Sequence, residues 1–574
     1  MRKTIVKLTL WAILGLILAA AALWSVNGAA RLAVYFKQGA DPASALNIVP
    51  NVPQDFYVKL DWLPDDPDTG RKIDPFTRTQ VESAYLRAWL QWNISYLRGH
   101  PYGLETYFTG PALDAAESSV STATSRGWQI AQADTEHELT LHFYAADGSI
   151  ASFTDARATV AQLIRDAEGN AIYAGEGTAV YDVVMMLEDG NWRVRHWLRV
   201  ADVTEGAGSA GISRPNFVGV RAGQLWLDEQ PFEVAGINYY PKATPWDEFW
   251  PNYDPAVTAA DFAHIRALGL NTVRVFVPYV HPGGPKVDPA ILDGLGDLLD
   301  QAEDQGLKVI VTLFDFRGDY NILLWPNADR HMETLLTTFR DHPAILAWDL
   351  KNEADLDYDS AGQTTVDAWL LHIARLARRL DPNHLLTVGW SSPEAAAVAD
   401  PALADLLDLV SFHFYAPAVE LADRYAALRV VALDRPILLG EFGLPTWNSP
   451  LFPHGHTEAE QAVYYADLLT ALGATDAAGS LAWTLYDFEH VPATVAGRWP
   501  WQTGPQRQLG LLRGDDTPKP AAALLAPGAD LTVPPLPAYA RLLKPFWLTV
   551  LAGLILAPLL LGALTIWYLR RRVG

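Results

Sequence analysis

The pattern of apolar and polar positions divides residues 216–527 into alternating strands and helices. Eight short apolar runs predict strands, at 232–237, 272–277, 308–313, 345–350, 385–389, 409–413, 437–440 and 480–483. Stretches with helical spacing lie between them, such as "ILDGLGDLLDQAEDQG" and "VDAWLLHIARLARRLD". This α/β alternation predicts a (β/α)8 TIM barrel. The alternative, a doubly wound open sheet, would need a glycine-rich phosphate loop after the first strand, and none follows it.

A different pattern occupies residues 70–202. Apolar positions at helical spacing predict a helix over 77–97, and alternating segments then predict a meander of antiparallel strands. Asp147-Gly148 and Asp189-Gly190 mark hairpin turns between these strands. We therefore expect a small α+β domain, which resembles the nuclear transport factor 2-like fold. That resemblance implies a small-molecule pocket or a dimer interface, and a spacer or accessory domain is the alternative.

Two long apolar segments flank these domains. Leu8–Ala30 contains no charged residue and follows Arg2, Lys3 and Lys7, so residues 1–30 predict a transmembrane helix or a signal anchor. A cleavable signal peptide is the alternative. Residues 546–569 form a second uncharged segment, and Arg570 begins an Arg triplet directly after it. The positive-inside rule then predicts a cell-membrane protein with cytoplasmic termini and an extracytoplasmic region between the two segments.

Composition narrows the classes of partner. The formal net charge is −23, which makes nucleic acid an unsuitable partner because phosphate binding needs clustered Lys and Arg. The chain has no cysteine, so disulfides, zinc–thiolate sites and thiol nucleophiles are excluded. It has 21 Trp and 22 Tyr, and such side chains suit surfaces that stack on sugars. A neutral carbohydrate ligand fits this composition.

Polar or aromatic residues follow almost every predicted barrel strand. Asn238 follows the first, Arg274 lies within the second, and Asp315 follows the third. The remaining exits carry Asn352-Glu353, Trp390, His413 with Tyr415, Glu441, and Trp483. Because the carboxyl ends of barrel strands form one mouth, these side chains are predicted to share a pocket.

Glu353 and Glu441 are the candidate chemical pair. They follow strands four and seven, which lie across the mouth from one another. Cleavage of a glycosidic bond needs one carboxyl group to protonate the leaving oxygen and a second, ionised one to attack or stabilise the anomeric centre. Two glutamates in this arrangement predict a glycosidase.

The segments "KNEAD" and "GEFG", on eight βα units, resemble the clan A glycoside hydrolases. The likeness is closest to glycoside hydrolase family 5, with some similarity to the family 2 barrel in "GQLWLDEQPFEVAGINYYP". It implies catalytic roles for Glu353 as acid/base and Glu441 as nucleophile. It further implies that Asn352 binds the sugar 2-hydroxyl, Arg274 lies beneath the nucleophile, His413 and Tyr415 flank it, and Trp483 is the sugar platform. Asn238 joins these as a substrate-binding candidate.

One position departs from that family. Asp315, in "LFDFRGD", stands where family 5 often has His or Asn, which leaves recognition of the innermost sugar open. The expected protein is a membrane-anchored retaining glycosidase that acts on a β-linked oligo- or polysaccharide and needs no metal or other cofactor. Transglycosylation by the same residues and a non-catalytic glycan-binding envelope protein are the alternatives.

Overall fold

The computed structural model describes residues 58–203, 214–279, 287–315, 318, 320–453 and 455–573. The predicted N-terminal membrane segment, residues 1–30, lies outside these residues. The described part belongs to one compact unit, Tyr57–Gly574. Within it, a small α+β domain precedes a closed barrel, and a long apolar helix ends the chain.

The first domain is a five-stranded sheet with two helices. Its elements in chain order are β1 (Lys59–Trp62), α1 (Pro75–Arg98), α2 (Gly110–Ser125), β2 (Gln129–Tyr144), β3 (Ile150–Arg165), β4 (Ala171–Glu188) and β5 (Asn191–Val203). Strands β2 to β5 form an antiparallel meander, and β1 pairs parallel to β2. Helix α1 begins where the Asp74 side chain accepts the Thr77 N–H, and it ends at Gly99, whose φ is 63°. The predicted helix and meander are confirmed, whereas the nuclear transport factor 2-like resemblance stays a prediction.

A short three-stranded antiparallel sheet, which we call the hairpin, leads into the barrel. It consists of β6 (Val218–Arg221), β7 (Gln224–Leu227) and β8 (Gln230–Pro231). Val218 and Leu225 are buried in one cluster with Ile310, Leu346 and other residues near the amino-terminal ends of the barrel strands. The hairpin therefore closes the end of the barrel opposite the mouth with apolar side chains.

Eight parallel strands close into the barrel that the sequence predicted. They are β9 (Val234–Asn238), β10 (Thr272–Phe276), β11 (Lys308–Thr312), β12 (Ile345–Asn352), β13 (Leu385–Trp390), β14 (Val410–Phe414), β15 (Ile437–Phe442) and β16 (Gly479–Ala482). Strand β16 pairs with β9 and completes the circle. Every residue of β10, β12, β13, β14, β15 and β16 is buried, as expected for strands packed between a filled interior and a helical layer.

Helices surround the barrel. They are α3 (Pro255–Ala267), α4 (Pro289–Asp304), α5 (Trp325–Phe339), α6 (Tyr358–Ala361), α7 (Gln363–Leu380), α8 (Pro393–Ala397), α9 (Pro401–Ala404), α10 (Leu421–Ala432), α11 (Glu458–Gly473), α12 (Ala493–Ala496) and α13 (Pro500–Arg507). The short α8 and α9 follow β13. The short α12 and α13 follow β16 and contribute to the mouth.

The first domain packs against helices α5 and α7 of the barrel. Ala133, Ala161 and Leu163 belong to the barrel's own apolar cluster. Beside them, Glu176 of β4 forms ion pairs with His372 and with Arg375, the latter at 3.2 Å. The interface therefore joins apolar and ionic contacts across the two domains.

The chain ends in α14 (Pro545–Val573). Residues Pro545–Trp567 have a mean hydropathy of 2.3 and none of this stretch is buried, so among the described residues it is the helix that is long and apolar enough to cross a membrane. The predicted C-terminal segment, 546–569, is thus helical. The two-helix arrangement that the sequence predicted has one candidate span in the described part of the chain.

Candidate active site

A pocket opens at the carboxyl ends of the barrel strands. Its volume is about 360 Å³, within the size range of small-molecule sites. Its walls are formed by Trp246, Asp315, Asn352, Glu353, Tyr415, Glu441, Pro445, Trp483, Val495, Pro505, Gln506 and Leu509. Six of the strand-exit residues singled out in the sequence therefore share one cavity: Asp315, Asn352, Glu353, Tyr415, Glu441 and Trp483.

Arg274 lies under the floor of this pocket. Its guanidinium donates to Glu441 Oε1 at 2.6 Å, to Asn352 Oδ1 at 2.8 Å and to Asn238 Oδ1 at 3.0 Å. Burial alone would lower the pKa of Arg274, but the carboxylates of Asp349 and Glu441 raise it above its usual value. The guanidinium is therefore a fixed positive charge beneath Glu441, as the family resemblance implies.

Asp349 is a further partner of Arg274, and it was not among the residues predicted from the sequence. It lies within β12, is 1% exposed, and accepts from Arg274 Nε at 3.0 Å. The same carboxylate accepts from the Thr312 hydroxyl and from the Gly389 N–H, each at 2.8 Å. An Asp inside an otherwise apolar strand was the signal available in the sequence, since an unpaired buried charge is too costly to persist.

Asn238 has no exposed surface. Its Nδ2 donates to the carbonyl oxygens of Gly440 at 2.9 Å and Ala482 at 3.3 Å, and its Oδ1 accepts from Arg274. These bonds tie β9 to β15 and β16 below the pocket. The geometry favours a positioning role for Asn238 over the substrate contact that the sequence predicted.

Glu441 ends β15 and is held on both carboxylate oxygens. Oε1 accepts from Arg274, and Oε2 accepts from the Tyr415 hydroxyl at 3.0 Å. Burial and the nearby Glu441 raise the pKa of Tyr415 well above its usual value, so the phenol stays protonated and keeps donating. Arg274 and Tyr415 thus hold the Glu441 carboxylate in one orientation toward the pocket.

Glu353 follows β12 with its backbone in the left-handed region, at φ 48° and ψ 49°. A non-glycine residue rarely adopts this conformation, and such strain is concentrated at functional sites. The conformation is held by a hydrogen bond from the Glu353 N–H to the Gly389 carbonyl at 2.6 Å. Glu353 thereby turns its side chain into the pocket, where 24% of that side chain is exposed.

His413 lies between the two glutamates. Its Nδ1 is 2.8 Å from Glu353 Oε1 and 3.6 Å from Glu441 Oε2. Burial raises the pKa of Glu353, but the hydrogen bond and charge of His413, with Arg274 and Lys351, lower it below its usual value overall. The imidazole therefore sets the protonation of Glu353.

Two glycines make room for this arrangement. A Cβ on Gly389 would lie 3.0 Å from Arg274 Nη2 and 3.1 Å from His413 Nε2. A Cβ on Gly440 would lie 2.4 Å from the Ser411 hydroxyl. Larger residues at either strand position would displace the groups that surround the two carboxylates.

Trp483 forms the aromatic wall of the pocket. Its ring is 8% exposed and packs against Tyr240, Trp246 and Phe276, with ring centroids 5.9–6.3 Å apart. Trp246 also lines the cavity. Edge-on contacts with Tyr240 and Phe276 and a tilted contact with Trp246 fix the Trp483 ring before any ligand binds.

Asp315 is a third carboxyl group in the pocket. It lies just after β11, and the Tyr240 hydroxyl donates to it at 3.1 Å. Burial raises the pKa of Asp315 to about 7, although Lys351, Arg274 and the Tyr240 hydrogen bond act in the opposite direction. At neutral pH this group is divided between its neutral and ionised forms.

Glu353, His413 and Glu441 also have the chemistry of metal ligands. Their candidate ligand atoms all lie within 4.8 Å of one another. A cation placed among them would meet the positive charge of Arg274, which already neutralises Glu441 at 2.6 Å. The donor set is therefore better matched to two carboxyl groups that act on a substrate than to a resident metal.

Comparison with known proteins gives one family and a consistent set of relatives. Residues 227–489 match the family model for cellulase (glycosyl hydrolase family 5). Mannan endo-1,4-beta-mannosidase 1 of Oryza sativa subsp. japonica is 26% identical over 373 residues, which cover 51% of this chain and 82% of that protein. Mannan endo-1,4-beta-mannosidase 3 of Arabidopsis thaliana is 25% identical over 360 residues, covering 50% and 85% respectively.

Solved structures of mannan-degrading enzymes are also similar. An exo-beta-1,4-mannosidase from Opitutaceae bacterium strain TAV5 has a TM-score of 0.45 at 20% identity, covering 53% of this chain and 60% of that one. The endo-1,4-beta-mannanase from Rhizomucor miehei has a TM-score of 0.38 at 20% identity, covering 47% and 90%.

Proposed function

Residues 227–489 form a glycoside hydrolase family 5 domain, and the protein is a glycosidase; from this premise we propose that it is a retaining enzyme that hydrolyses a β-linked mannan. The observation that carries the retaining mechanism is the spacing of the carboxylates. An oxygen of Glu353 and an oxygen of Glu441 lie within 4.8 Å of one another. Retaining glycosidases hold their carboxyl groups about 5–5.5 Å apart, and inverting ones about 6.5–9.5 Å apart.

In this mechanism Glu441 attacks the anomeric carbon while Glu353 gives its proton to the leaving oxygen. The C–O bond to the leaving sugar breaks as the bond to Glu441 forms. Glu353, now ionised, takes a proton from water, and that water displaces Glu441 from the sugar. Arg274 and the Tyr415 hydroxyl orient Glu441 before the attack.

Asn352 and Trp483 are the proposed substrate contacts beside the carboxylates. Asn352 Oδ1 is occupied by Arg274, which leaves its amide nitrogen to donate to a sugar hydroxyl. Trp483 lines the pocket with a ring that aromatic neighbours hold in place, which suits stacking on a sugar. His413 positions Glu353 rather than the sugar.

The proposed substrate class rests on the relatives. Both plant proteins described above are named mannan endo-1,4-beta-mannosidases, and each aligns over about half of this chain. We extend that specificity to the present pocket, with Asp315 as a local difference in how the innermost sugar is held.

The proposed location is the outer face of the cell membrane. Helix α14 is apolar enough to span, and Arg570–Arg572 at its far end would remain in the cytoplasm under the positive-inside rule. The barrel then lies on the opposite side, where glycans occur. Residues 1–30 are the second proposed anchor.

The test is hydrolysis by the detergent-solubilised full chain on β-1,4-mannan, β-glucan and xylan, beside Glu441→Gln and Glu353→Gln. We expect release of sugar from mannan and a loss of at least about 10³-fold in kcat for each variant on the polymer. Glu394→Gln is the matched control, because that carboxylate pairs with Arg424 on the surface.

A β-mannoside with a dinitrophenyl leaving group separates the two roles. That group leaves without a proton, so Glu353→Gln should retain the first step and release a burst of phenolate, whereas Glu441→Gln should not. Equal bursts from both variants would contradict the assignment of roles. Release of the α-anomer as first product would contradict retention.

A further inference from the structure

Three stretches at the mouth and at the start of α14 lack acidic residues. No Asp or Glu occurs in residues 445–456, in residues 491–510, or after Asp530, although the chain has 66 acidic residues and a net charge of −23. Their basic residues are Arg498, Arg507, Arg541, Lys544 and the Arg triplet that ends α14. This distribution suits a surface that meets negative charge.

The first two stretches form an apolar patch beside the pocket, which we call the mouth patch: Leu451, Trp499 and Trp501, which are exposed, with Trp447 and Phe452, which are half-buried. Leu451 is 75% exposed and Trp499 is 60% exposed. Phe452 joins the two stretches, since its ring lies 5.8 Å from Trp447 and 5.6 Å from Trp501. Exposed apolar groups in contact with one another indicate an interaction surface.

The apolar helix begins at this patch. Lys544, the residue directly before α14, donates to the Gly455 carbonyl at 2.6 Å and pairs with Glu460 at 2.8 Å. Gly455 belongs to the same loop as Leu451 and Phe452, and Glu460 lies in the first turn of α11, at the mouth end of the barrel. Upstream, Leu531 and Val533 pack against the barrel core. No free linker separates the barrel mouth from the helix.

We propose that the mouth patch docks on the phospholipid headgroup surface of the membrane that holds α14, so that the active-site pocket opens at the bilayer. This inference rests on the proposed anchoring by α14. The headgroup layer is only about 5–7 Å thick on each side of the hydrocarbon core, so a loop bonded to the residue that precedes a spanning helix lies within it. Trp is enriched at that depth, and arginines there meet lipid phosphates.

A glycan chain is the competing occupant, and the patch is less suited to it. Trp499 and Trp501 stack on one another, with centroids 5.0 Å apart and planes 7° apart, so each offers one face at most. Leu451 and Leu543 add exposed aliphatic surface on either side of the Lys544 contact, and aliphatic side chains give a sugar no flat platform. Lipid accommodates both kinds of side chain.

The docking also bears on the substrate. Helix α13 carries Trp501 near its start and supplies Pro505 and Gln506 to the pocket wall. If headgroups contact Trp501 at the start of α13, they lie within the length of that helix from the sugar that contacts Pro505 and Gln506 near its end. The inference deepens the proposed function: the substrate is the portion of a β-linked glycan that lies against the membrane.

The experiment uses nitroxide labels on the full chain in vesicles of phosphatidylcholine and phosphatidylglycerol. Because the chain has no native cysteine, Leu451→Cys and Val430→Cys each give a single labelling site. Val430 is the matched control: it is 74% exposed and lies near the end of α10, away from the mouth. Flotation of the vesicles tests anchoring, and collision rates with oxygen and with an aqueous nickel chelate test docking.

We expect the protein to float with the vesicles. The ratio of oxygen to nickel collision rates should be several-fold higher at position 451 than at position 430, because oxygen concentrates in lipid. Equal ratios in a protein that floats would overturn the docking while leaving the anchoring intact. A protein that does not float would overturn both.

A second measurement distinguishes the glycan occupant. Trp499→Ser in detergent should leave KM for a soluble mannan oligosaccharide unchanged, and in vesicles it should lower the collision ratio at position 451. The patch would instead bind sugar if Trp499→Ser raised KM several-fold in detergent and if the collision ratio at position 451 in vesicles were as low as that of a residue in water. That result would overturn the proposal.

Discussion

Asp349 shares the buried guanidinium of Arg274 with Glu441. Removing one partner of a buried ion pair leaves the other charge without full compensation, which costs about 3–5 kcal/mol. We expect Asp349→Asn to lower the free energy of unfolding by roughly 3 kcal/mol and to reduce kcat, because Arg274 is then free to move away from Asn352 and Glu441. Denaturant unfolding and steady-state kinetics would measure both effects.

Glu394→Gln again serves as the comparison for Asp349→Asn. That substitution removes a surface ion pair with Arg424, and it should change the free energy of unfolding by less than about 1 kcal/mol. Equal changes for the two variants would contradict a special role for the buried network.

The pH dependence of kcat/KM should report the effect of His413 on the pKa of Glu353. The acid form of Glu353 is lost as pH rises through its pKa, which His413 holds below the usual value, so the basic limb is expected at acidic pH. His413→Gln removes the charged donor, raises the pKa of Glu353, and should move that limb to higher pH. If the basic limb of His413→Gln coincides with that of wild type, the limb reports a group other than Glu353.

Asp315 should give the folded protein a second pH signature. Its pKa is raised from 3.8 to about 7, so the native state holds a proton that the unfolded chain has lost between these values. Its contribution to stability is fully present below about pH 4 and is lost as pH rises through about 7. We expect Asp315→Asn to be more stable than wild type at about pH 8 by about 1–2 kcal/mol and equal to it near pH 4. Chemical denaturation at both pH values is the measurement.

At this scale the sequence predicts residue types at strand ends but not the hydrogen bonds among them. Glu353, Glu441 and Trp483 are readable because they follow apolar runs that end at the mouth. Asp349 precedes its strand exit by three residues, and its role becomes visible only when the barrel closes and brings Thr312, Gly389 and Arg274 around it. Asn238 is the opposite case: it follows a strand and was predicted to bind substrate, but its amide nitrogen donates to backbone carbonyls below the pocket.

Among the elements, β4 and α7 carry the ionic part of the domain interface. His372 of α7 lies between Glu176 of β4 and Asp329 of α5, and it stacks on Trp325 at 4.8 Å. Burial lowers the pKa of His372, but the two carboxylates raise it to about 10. The imidazolium therefore bridges two elements of the barrel and one of the first domain.

This bridge predicts a loss of stability at alkaline pH. The folded-state pKa of His372 lies above the unfolded value of 6.5, so its contribution is fully present below about 6.5 and is lost as pH rises through about 10. Glu176→Gln should lower the free energy of unfolding at about pH 7 by about 3 kcal/mol and weaken this pH dependence. Glu168→Gln, on the exposed turn of the same hairpin, is the control and should match wild type. Unchanged stability in Glu176→Gln would mean that the bridge contributes nothing.

The element boundaries follow the sequence closely where local signals are strong. The helix expected at 77–97 spans Pro75–Arg98, because Asp74 and Gly99 cap it. The eight strands agree to within two residues at each end, because apolar runs set them. The short helices α12 and α13 were not predicted: "ATVAGRWPWQTGPQR" has two Gly and two Pro residues and no apolar period, and its place is decided by packing at the mouth.

For the whole molecule, the two domains depend on each other. Ala133, Ala161 and Leu163 complete an apolar cluster whose other members belong to the barrel. A chain that begins at residue 214 should expose part of α5 and α7 to water, lower Tm by several degrees and increase aggregation, with the pocket chemistry unchanged. Thermal unfolding and light scattering would measure this. A barrel that is as stable alone as in the full chain would show that the first domain is an independent module.

Barrel symmetry then relates that domain to the anchor. The first domain packs on the helices that follow strands three and four, whereas α14 begins at the loop that follows strand seven. In an eight-stranded barrel these positions lie on opposite sides of the axis. Such a relationship cannot be read from the sequence, in which the two parts are simply the two ends of the described chain.

The bond between Lys544 and Gly455 also limits how far the pocket can move relative to α14. An enzyme on a flexible stalk explores a volume that grows with the length of its linker. Here Lys544, the residue before the helix, is bonded to the mouth loop, so the proposed anchoring would hold the pocket at one height and let it travel only sideways. Under the proposed anchoring, catalysis would be a search in two dimensions, which would trim the innermost layer of a glycan coat and leave the outer layers untouched.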